Sequence, residues 1–291
     1  STGSTSSGPA AAKKPSDAVK GYLDALAAGD AATALSYAES SPADTTMLTN
    51  EALAASNKLG AIAEINVPEV TDEYAYQVAA SYKMGTRTVN KEINVTKVGE
   101  DWKLTDVAGT LTLDLGDDLP ITVNGVKVEA KKIIVFPGTY VFDTGNKYVG
   151  FDDKGTVSVD APGAYESGPY QATLNKTGKQ AAIKAAQDSL NACLKQQVLA
   201  PKGCMFKAYE TNGVKVDTKT IRWSSTEKNP WARVEPSYEG LSQISLYPNG
   251  SAKLQAQGTQ RGAKGSVETM VRIGTATVDL SGDKPVVTWS N

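Results

Sequence analysis

Near residue 61 the spacing of apolar residues changes from the period of a helix to that of a strand, and this change limits the first hundred residues to one class of fold. Upstream, after Pro15-Ser16-Asp17, where Ser16 can cap a helix, Val19, Tyr22, Leu23 and Leu26 recur at i, i+3, i+4 and i+7 until Gly29-Asp30. That is one apolar helical face with a start and a stop. Shorter helices are expected at 31–38 and at about 45–58. Downstream, EYAYQVAASYKMG sets Tyr74, Tyr76, Val78, Ala80 and Tyr82 on one face of a strand. VNKEINVTKVG does the same with Val89, Ile93 and Val95, and DWKLTDV closes the set. Helices followed by consecutive strands predict an α+β domain over 15–107, with helices packed on an antiparallel sheet.

The order PSDAVKGYLDALAAGDAATALSYA, then long strands, then VGEDWKLTDV resembles the nuclear-transport-factor-2-like domains found outside bacterial membranes. The resemblance covers about a third of the chain. It implies a curved sheet around a cone-shaped cavity, which in some relatives is an active site lined by Asp, Tyr or His. This chain has no histidine. A cone here would be lined by Tyr74, Tyr76, Tyr82 and Trp102 and would suit a small apolar or lipid ligand, as a carrier or an enzyme. The same alternation is also that of a packed core.

Residues 108–170 carry short strands punctuated by Asn124-Gly125, Pro137-Gly138, Thr144-Gly145 and Lys154-Gly155, which predicts a small all-β module built from hairpins. Its stretch ITVNGVKVEAKKIIVFPGTYVF is similar to β-domains of the TcaA type and to PEGA-like modules, which act as spacers in extracellular regions of envelope proteins.

Residues 171–291 open on TGKQAAIKAAQDSLNACLKQQVL, in which Ile183, Ala186, Leu190, Cys193 and Leu194 share a helical face. Strands are expected at about 214–223, 233–238, 242–247, 251–258, 266–273, 275–280 and 285–290. Cys193 and Cys204 are the only two cysteines. Ala200, Pro201 and Gly203 stop the helix and reverse the chain, so Cys204 returns onto its last turns. A disulfide is expected between them, with an oxidising, extracytoplasmic compartment as its consequence. NACLKQQVLAPKGCMF resembles a "C…xPxGCPF" segment of extracytoplasmic regions of actinobacterial membrane proteins, with Met205 where that pattern has proline; this too implies the disulfide and the compartment.

The resulting fold class is α+β, two helix-plus-antiparallel-sheet domains (15–107 and 171–291) separated by the 108–170 module. Residues 1–14, small and polar, are expected to form a flexible tether. They hold neither an initiator methionine nor an apolar signal segment, which suggests an anchoring segment upstream. No apolar run approaches the roughly 20 residues of a spanning helix.

Catalysis has little material. Without histidine there is no Ser-His-Asp or Cys-His arrangement. Phosphate-binding glycine loops are absent, and two thiols make only half a zinc shell, so no cofactor or metal is expected. Asp117-Asp118 and Asp152-Asp153 lie in turn-like surroundings, and FDDKGTVSVD lacks the alternating acidic spacing of a calcium loop. The chain reads as non-enzymatic, without nucleic-acid motifs.

Charge suggests a partner. Lys and Arg against Asp and Glu give 7 and 14 over 15–107, 5 and 9 over 108–170, and 16 and 9 over 171–291. The chain thus runs from acidic to basic, and the expected partner of its last part is an envelope component: an anionic lipid, a wall polymer or an envelope protein. Lys176, Lys179 and Lys184 form one candidate patch, and Arg261 and Lys264 in a Gly-rich hairpin another. In IRWSSTEKNPWARVEPSYEG, the residues Arg222, Trp223, Trp231, Arg233 and Tyr238 have the composition of a binding hot spot.

Overall fold

The computed structural model describes residues 11–291, apart from the side chains of Asp152 and Lys154. Most of the tether expected over 1–14 lies outside the described residues. Its last residues are held in place: Ala12 is buried, its carbonyl accepts from Trp102 N–H at 2.9 Å, and Lys13 pairs with Asp101 at 2.7 Å.

Helices α1 (Pro15–Ala28), α2 (Ala31–Ser36) and α3 (Asn50–Gly60) precede strands β1 (Ile62–Asn66), β2 (Gln77–Met84), β3 (Arg87–Val98) and β4 (Asp101–Leu104). The four strands pair antiparallel in that order. Nine short strands follow: β5 (Gly109–Thr112), β6 (Ile121–Val123), β7 (Val126–Val128), β8 (Lys132–Val135), β9 (Gly138–Asp143), β10 (Val149–Gly150), β11 (Thr156–Val159), β12 (Tyr165–Ser167) and β13 (Thr173–Leu174). The long helix α4 (Lys176–Leu194) then leads into β14 (Val214–Ser225), β15 (Ser237–Tyr238), β16 (Gln243–Leu246), β17 (Ser251–Gln260), β18 (Ala263–Arg272), β19 (Thr275–Asp279) and β20 (Val286–Ser290). The architecture is α+β; among the described strands the pairing is antiparallel except for the parallel pair β5 and β12, and one isolated parallel bridge joins Ala38 to Leu104.

Two compact units emerge. The first runs to Leu115 and takes in Pro120–Gly145 and Phe151–Gln171; the second combines Gly116–Leu119, Asn146–Gly150 and Ala172–Asn291. By this division most of the 108–170 stretch falls in the first unit, tied to it by contacts distant in sequence. Ser56 of α3 is buried and its Oγ accepts from Thr139 N–H at 2.8 Å. Arg87 forms a fork onto the Asp160 carboxylate and reaches Ser158 Oγ at 2.7 Å, while the Tyr82 hydroxyl donates to the Asp160 carbonyl. Phe136 joins the cluster of Tyr22, Leu23, Leu26, Val78, Tyr82 and Trp102.

Within that unit α1 ends at Gly29, whose φ of 73° supplies the left-handed stop that the sequence announces. Ser16 does not cap it. Lys14 holds the cap position, and Ser16 Oγ instead accepts from Val70 N–H at 2.9 Å, since the helix begins at Pro15, two residues earlier than a cap at Ser16 would place it.

The second unit has two sheets, β14-β17-β18 and β15-β16-β19-β20. The expected strands of this region all appear, with the piece at 233–238 reduced to Ser237–Tyr238. Cys193 and Cys204 form a disulfide with Cα atoms 5.9 Å apart. Trp223 closes over that loop: its Nε1 donates to the Val198 carbonyl at 2.8 Å and its ring lies 4.8 Å from Phe206. No described helix is long and apolar enough to cross a membrane.

Candidate binding groove

The four aromatic residues expected to line a cone in the first domain separate in the structure. Tyr82 and Trp102 are buried in the core. Tyr74 and Tyr76 are 89% and 73% exposed and precede β2. The cause is a turn. Asp72 accepts from Tyr74 N–H through its side chain and from Ala75 N–H through its carbonyl, so strand alternation begins only at Gln77. The pair that remains in the core packs among Tyr22, Ile93 and Leu104. Burial pushes the Tyr22 and Tyr82 hydroxyls well above their ordinary range, which leaves both neutral as donors to backbone carbonyls.

The residues singled out in 222–238 also divide. Trp223 is core, as described above. Arg222 is exposed on the opposite side of β14, its Nη1 donating to the Ile221 carbonyl at 2.8 Å. Tyr238 is half-buried and its hydroxyl accepts from Leu174 N–H at 3.0 Å. Arg233 is exposed, with a left-handed φ of 58° at the end of a tight loop. Trp231 is buried, and it is here that two sequence features meet.

A groove of about 560 Å³ is lined by Lys176, Lys179, Gln180, Ile183, Lys184, Gln187, Asp188, Asn229 and Trp231. Seven of these residues sit on one stripe of α4, so the lysine patch and the tryptophan loop read separately in the sequence share a single concavity. From Lys176 to Asp188 the stripe rises about 18 Å along the helix axis at 1.5 Å per residue. Its two apolar side chains are the half-exposed Ile183 and the almost fully buried Trp231, beside which the aliphatic stems of the lysines can add apolar surface.

The wall opposite α4 is rigid. Asn229 Oδ1 accepts from Trp231 N–H at 3.1 Å, its carbonyl accepts from Ala232 N–H at 3.3 Å, and Asn249 grips the loop from behind, giving N–H to Pro230 and Nδ2 to Ala232. Trp289 of β20 stands behind Trp231 with ring centroids 6.2 Å apart, and its Nε1 donates to Ser189 Oγ of α4 at 2.8 Å. Trp289 is a supporting residue that sequence reasoning missed. Its only signal was the alternation of Val287 and Trp289 in the last strand.

Charge along the groove is uneven. Lys184 pairs with Asp188 at 2.6 Å and Lys179 with Glu235 at 3.0 Å. Lys176 has no ion-pair partner among the described residues, and the first turn of α4 contains no acidic side chain. One cation and the positive end of a 19-residue helix thus coincide at the same end of the groove. Trp231 Nε1 is buried without a hydrogen-bond partner among the described residues.

The basic hairpin of Arg261 and Lys264 lies at the β17–β18 turn, away from the groove-lining residues. Asp118, expected as a solvated turn residue, instead accepts from Leu241 N–H, Ser242 N–H and Ser242 Oγ at 2.7 to 3.0 Å, fixing the loop before β16. Among the described residues no cluster of acidic or thiol groups is placed to hold a metal ion. No protein family, curated protein or solved structure matches the chain.

Proposed function

We propose that the chain is a non-catalytic binding region of a bacterial cell-envelope protein, and that it recognises an anionic envelope component through the α4 groove. The observation that carries this reading is the convergence of Lys176, Lys179 and Lys184 with buried Trp231 around one apolar-floored concavity. A concave site of this volume with few placed polar groups is the usual form of a ligand site. The disulfide fits an oxidising, extracytoplasmic compartment. The resemblances to nuclear-transport-factor-2-like and TcaA/PEGA-like domains and to actinobacterial envelope proteins point the same way. The excess of 16 basic over 9 acidic residues in 171–291 supplies the matching field.

The test is co-sedimentation of the full chain with vesicles of anionic and of zwitterionic lipid across a salt series. Binding to the anionic vesicles is expected to fall steeply with salt, because exposed charges are screened over about 10 Å at 0.1 M. Replacing Lys176, Lys179 and Lys184 together with glutamine should remove most of it. Equal binding to both vesicle types, or binding untouched by the triple substitution, would refute the assignment.

A further inference from the structure

The same groove carries information about the shape of its ligand, an inference that rests on the proposed function and narrows it. A polyanion alone needs only a row of lysines on a convex surface. Here two of the three groove lysines are already neutralised by Asp188 and Glu235, which leaves a single unpaired cation, Lys176. That cation stands at the N-terminal end of α4, where the first turn offers no carboxylate to offset the helix dipole. Beyond Lys176, Gln180, Gln187, Asp188 and Asn229 share the lining with two apolar side chains: Ile183, only half-buried by the fold, and the almost fully buried Trp231, whose backbone is held by Asn229 and whose ring packs near Trp289. One positive end followed by an apolar patch at Ile183 and Trp231 is complementary to one anionic head with an apolar body.

A second observation selects for a ligand. Among the described residues Trp231 Nε1 is the buried side-chain donor without a partner. Buried donors in folded proteins are nearly always satisfied, and an unpaired one marks a place where an acceptor is missing. Trp231 lines the groove, and the oxygen-bearing linkage between head and tail of an amphiphile is the candidate acceptor for it.

We infer that the α4 groove binds a monomeric anionic amphiphile, its head at Lys176 and the α4 N-terminus and its acyl chain along Ile183 and Trp231. Lys179 and Lys184, ion-paired across exposed surface, line the walls with their stems and add to the positive field that draws an anionic surface, while the direct head contact falls to Lys176.

The probe is lysophosphatidylglycerol with a brominated acyl chain, below its micelle concentration, titrated into the full chain while tryptophan emission is read. Zwitterionic lysophosphatidylcholine with the same chain and sodium polyglutamate serve as comparisons. Saturable quenching by the anionic lipid is expected, with weaker binding of the zwitterionic one. Lys176→Gln should weaken the anionic lipid about fivefold, the scale of one partly exposed charge contact. Ile183→Glu, on the half-exposed face of α4, should abolish quenching while the circular dichroism spectrum stays unchanged. Trp231→Phe should remove most of the quenching signal.

If polyglutamate binds in a manner sensitive to Lys176→Gln and the lipid monomer does not, the inference is overturned while the wider anionic-ligand reading stands. If neither binds, both fall. Quenching that survives Ile183→Glu would place the acyl chain elsewhere and also overturn the inference.

Discussion

Replacing both cysteines with alanine tests how the second unit is held together. The bridge joins residues 11 apart in sequence, so it closes a loop of about a dozen residues, and on the chain-entropy model such a loop contributes about 3 kcal/mol. Alanine at 193 fits the packing around the nearly buried end of α4, and position 204 is half-buried, so neither replacement adds a buried polar group. For a unit of this size, 1 kcal/mol moves the midpoint by a few degrees, and the whole effect should be a fall of about 10 °C. Trp223 reports it directly, because its Nε1 is bonded to Val198 inside the loop. Thermal unfolding followed by tryptophan emission, with hydrogen exchange resolved by segment, should show destabilisation of α4 and β14 and unchanged protection of α1. A loss below about 1 kcal/mol would refute the reasoning. It would mean that Trp223 and Phe206 already confine the loop in the unfolded chain. A matching loss in α1 would refute the division into units.

Ser56→Ala removes the acceptor of the part-buried Thr139 N–H and should cost about 1 kcal/mol, read as a lower urea midpoint with an unchanged slope. Gly138→Ala should do no less, because an added Cβ would overlap Ser56 Oγ. Acid stability should depend on Asp160, whose carboxyl is held below its ordinary value by the hydrogen bond from Arg87. A carboxyl lowered by folding stabilises above its unfolded value, about 4, and that contribution is lost as pH falls through the lower folded value. Asp160→Asn should therefore flatten the acid limb of a stability-pH curve below pH 4; an unchanged limb would show that the fork carries no linkage.

Much of the fold was legible because its elements obey one period at a time. The strands of 171–291 are long alternating runs bounded by Gly or Pro, and the structure keeps nearly all of them. The misreadings come from single side chains that capture backbone groups. Asp72 turns the chain at 74–75 and removes Tyr74 and Tyr76 from β2. Asp118 binds two amides more than a hundred residues away. Neither is visible in composition, since aspartate beside glycine or before a strand is equally at home in solvent. The extent of the first unit was hidden for a similar reason: the contacts of Ser56, Tyr82 and Arg87 span 71 to 83 residues and leave no periodic trace.

The groove follows from a small shift in which face α4 buries. The expected face ran through Ile183, Ala186, Leu190, Cys193 and Leu194. The observed buried stripe is Gly178, Ala182, Ala186, Leu190 and Cys193, which replaces Ile183 by smaller neighbours. Close packing decides this. At Gly178 a Cβ would overlap the Tyr148 carbonyl, so only glycine lets the first turns approach the β10 strand, and Ala182 continues the same shallow surface. A helix seated on its small residues turns Ile183 outward by a fraction of a turn, toward Trp231. The aliphatic floor of the groove is thus a consequence of the glycine and alanine positions. Gly178→Ala should therefore disturb lipid-probe quenching along with stability, whereas Ile183→Glu should abolish quenching alone.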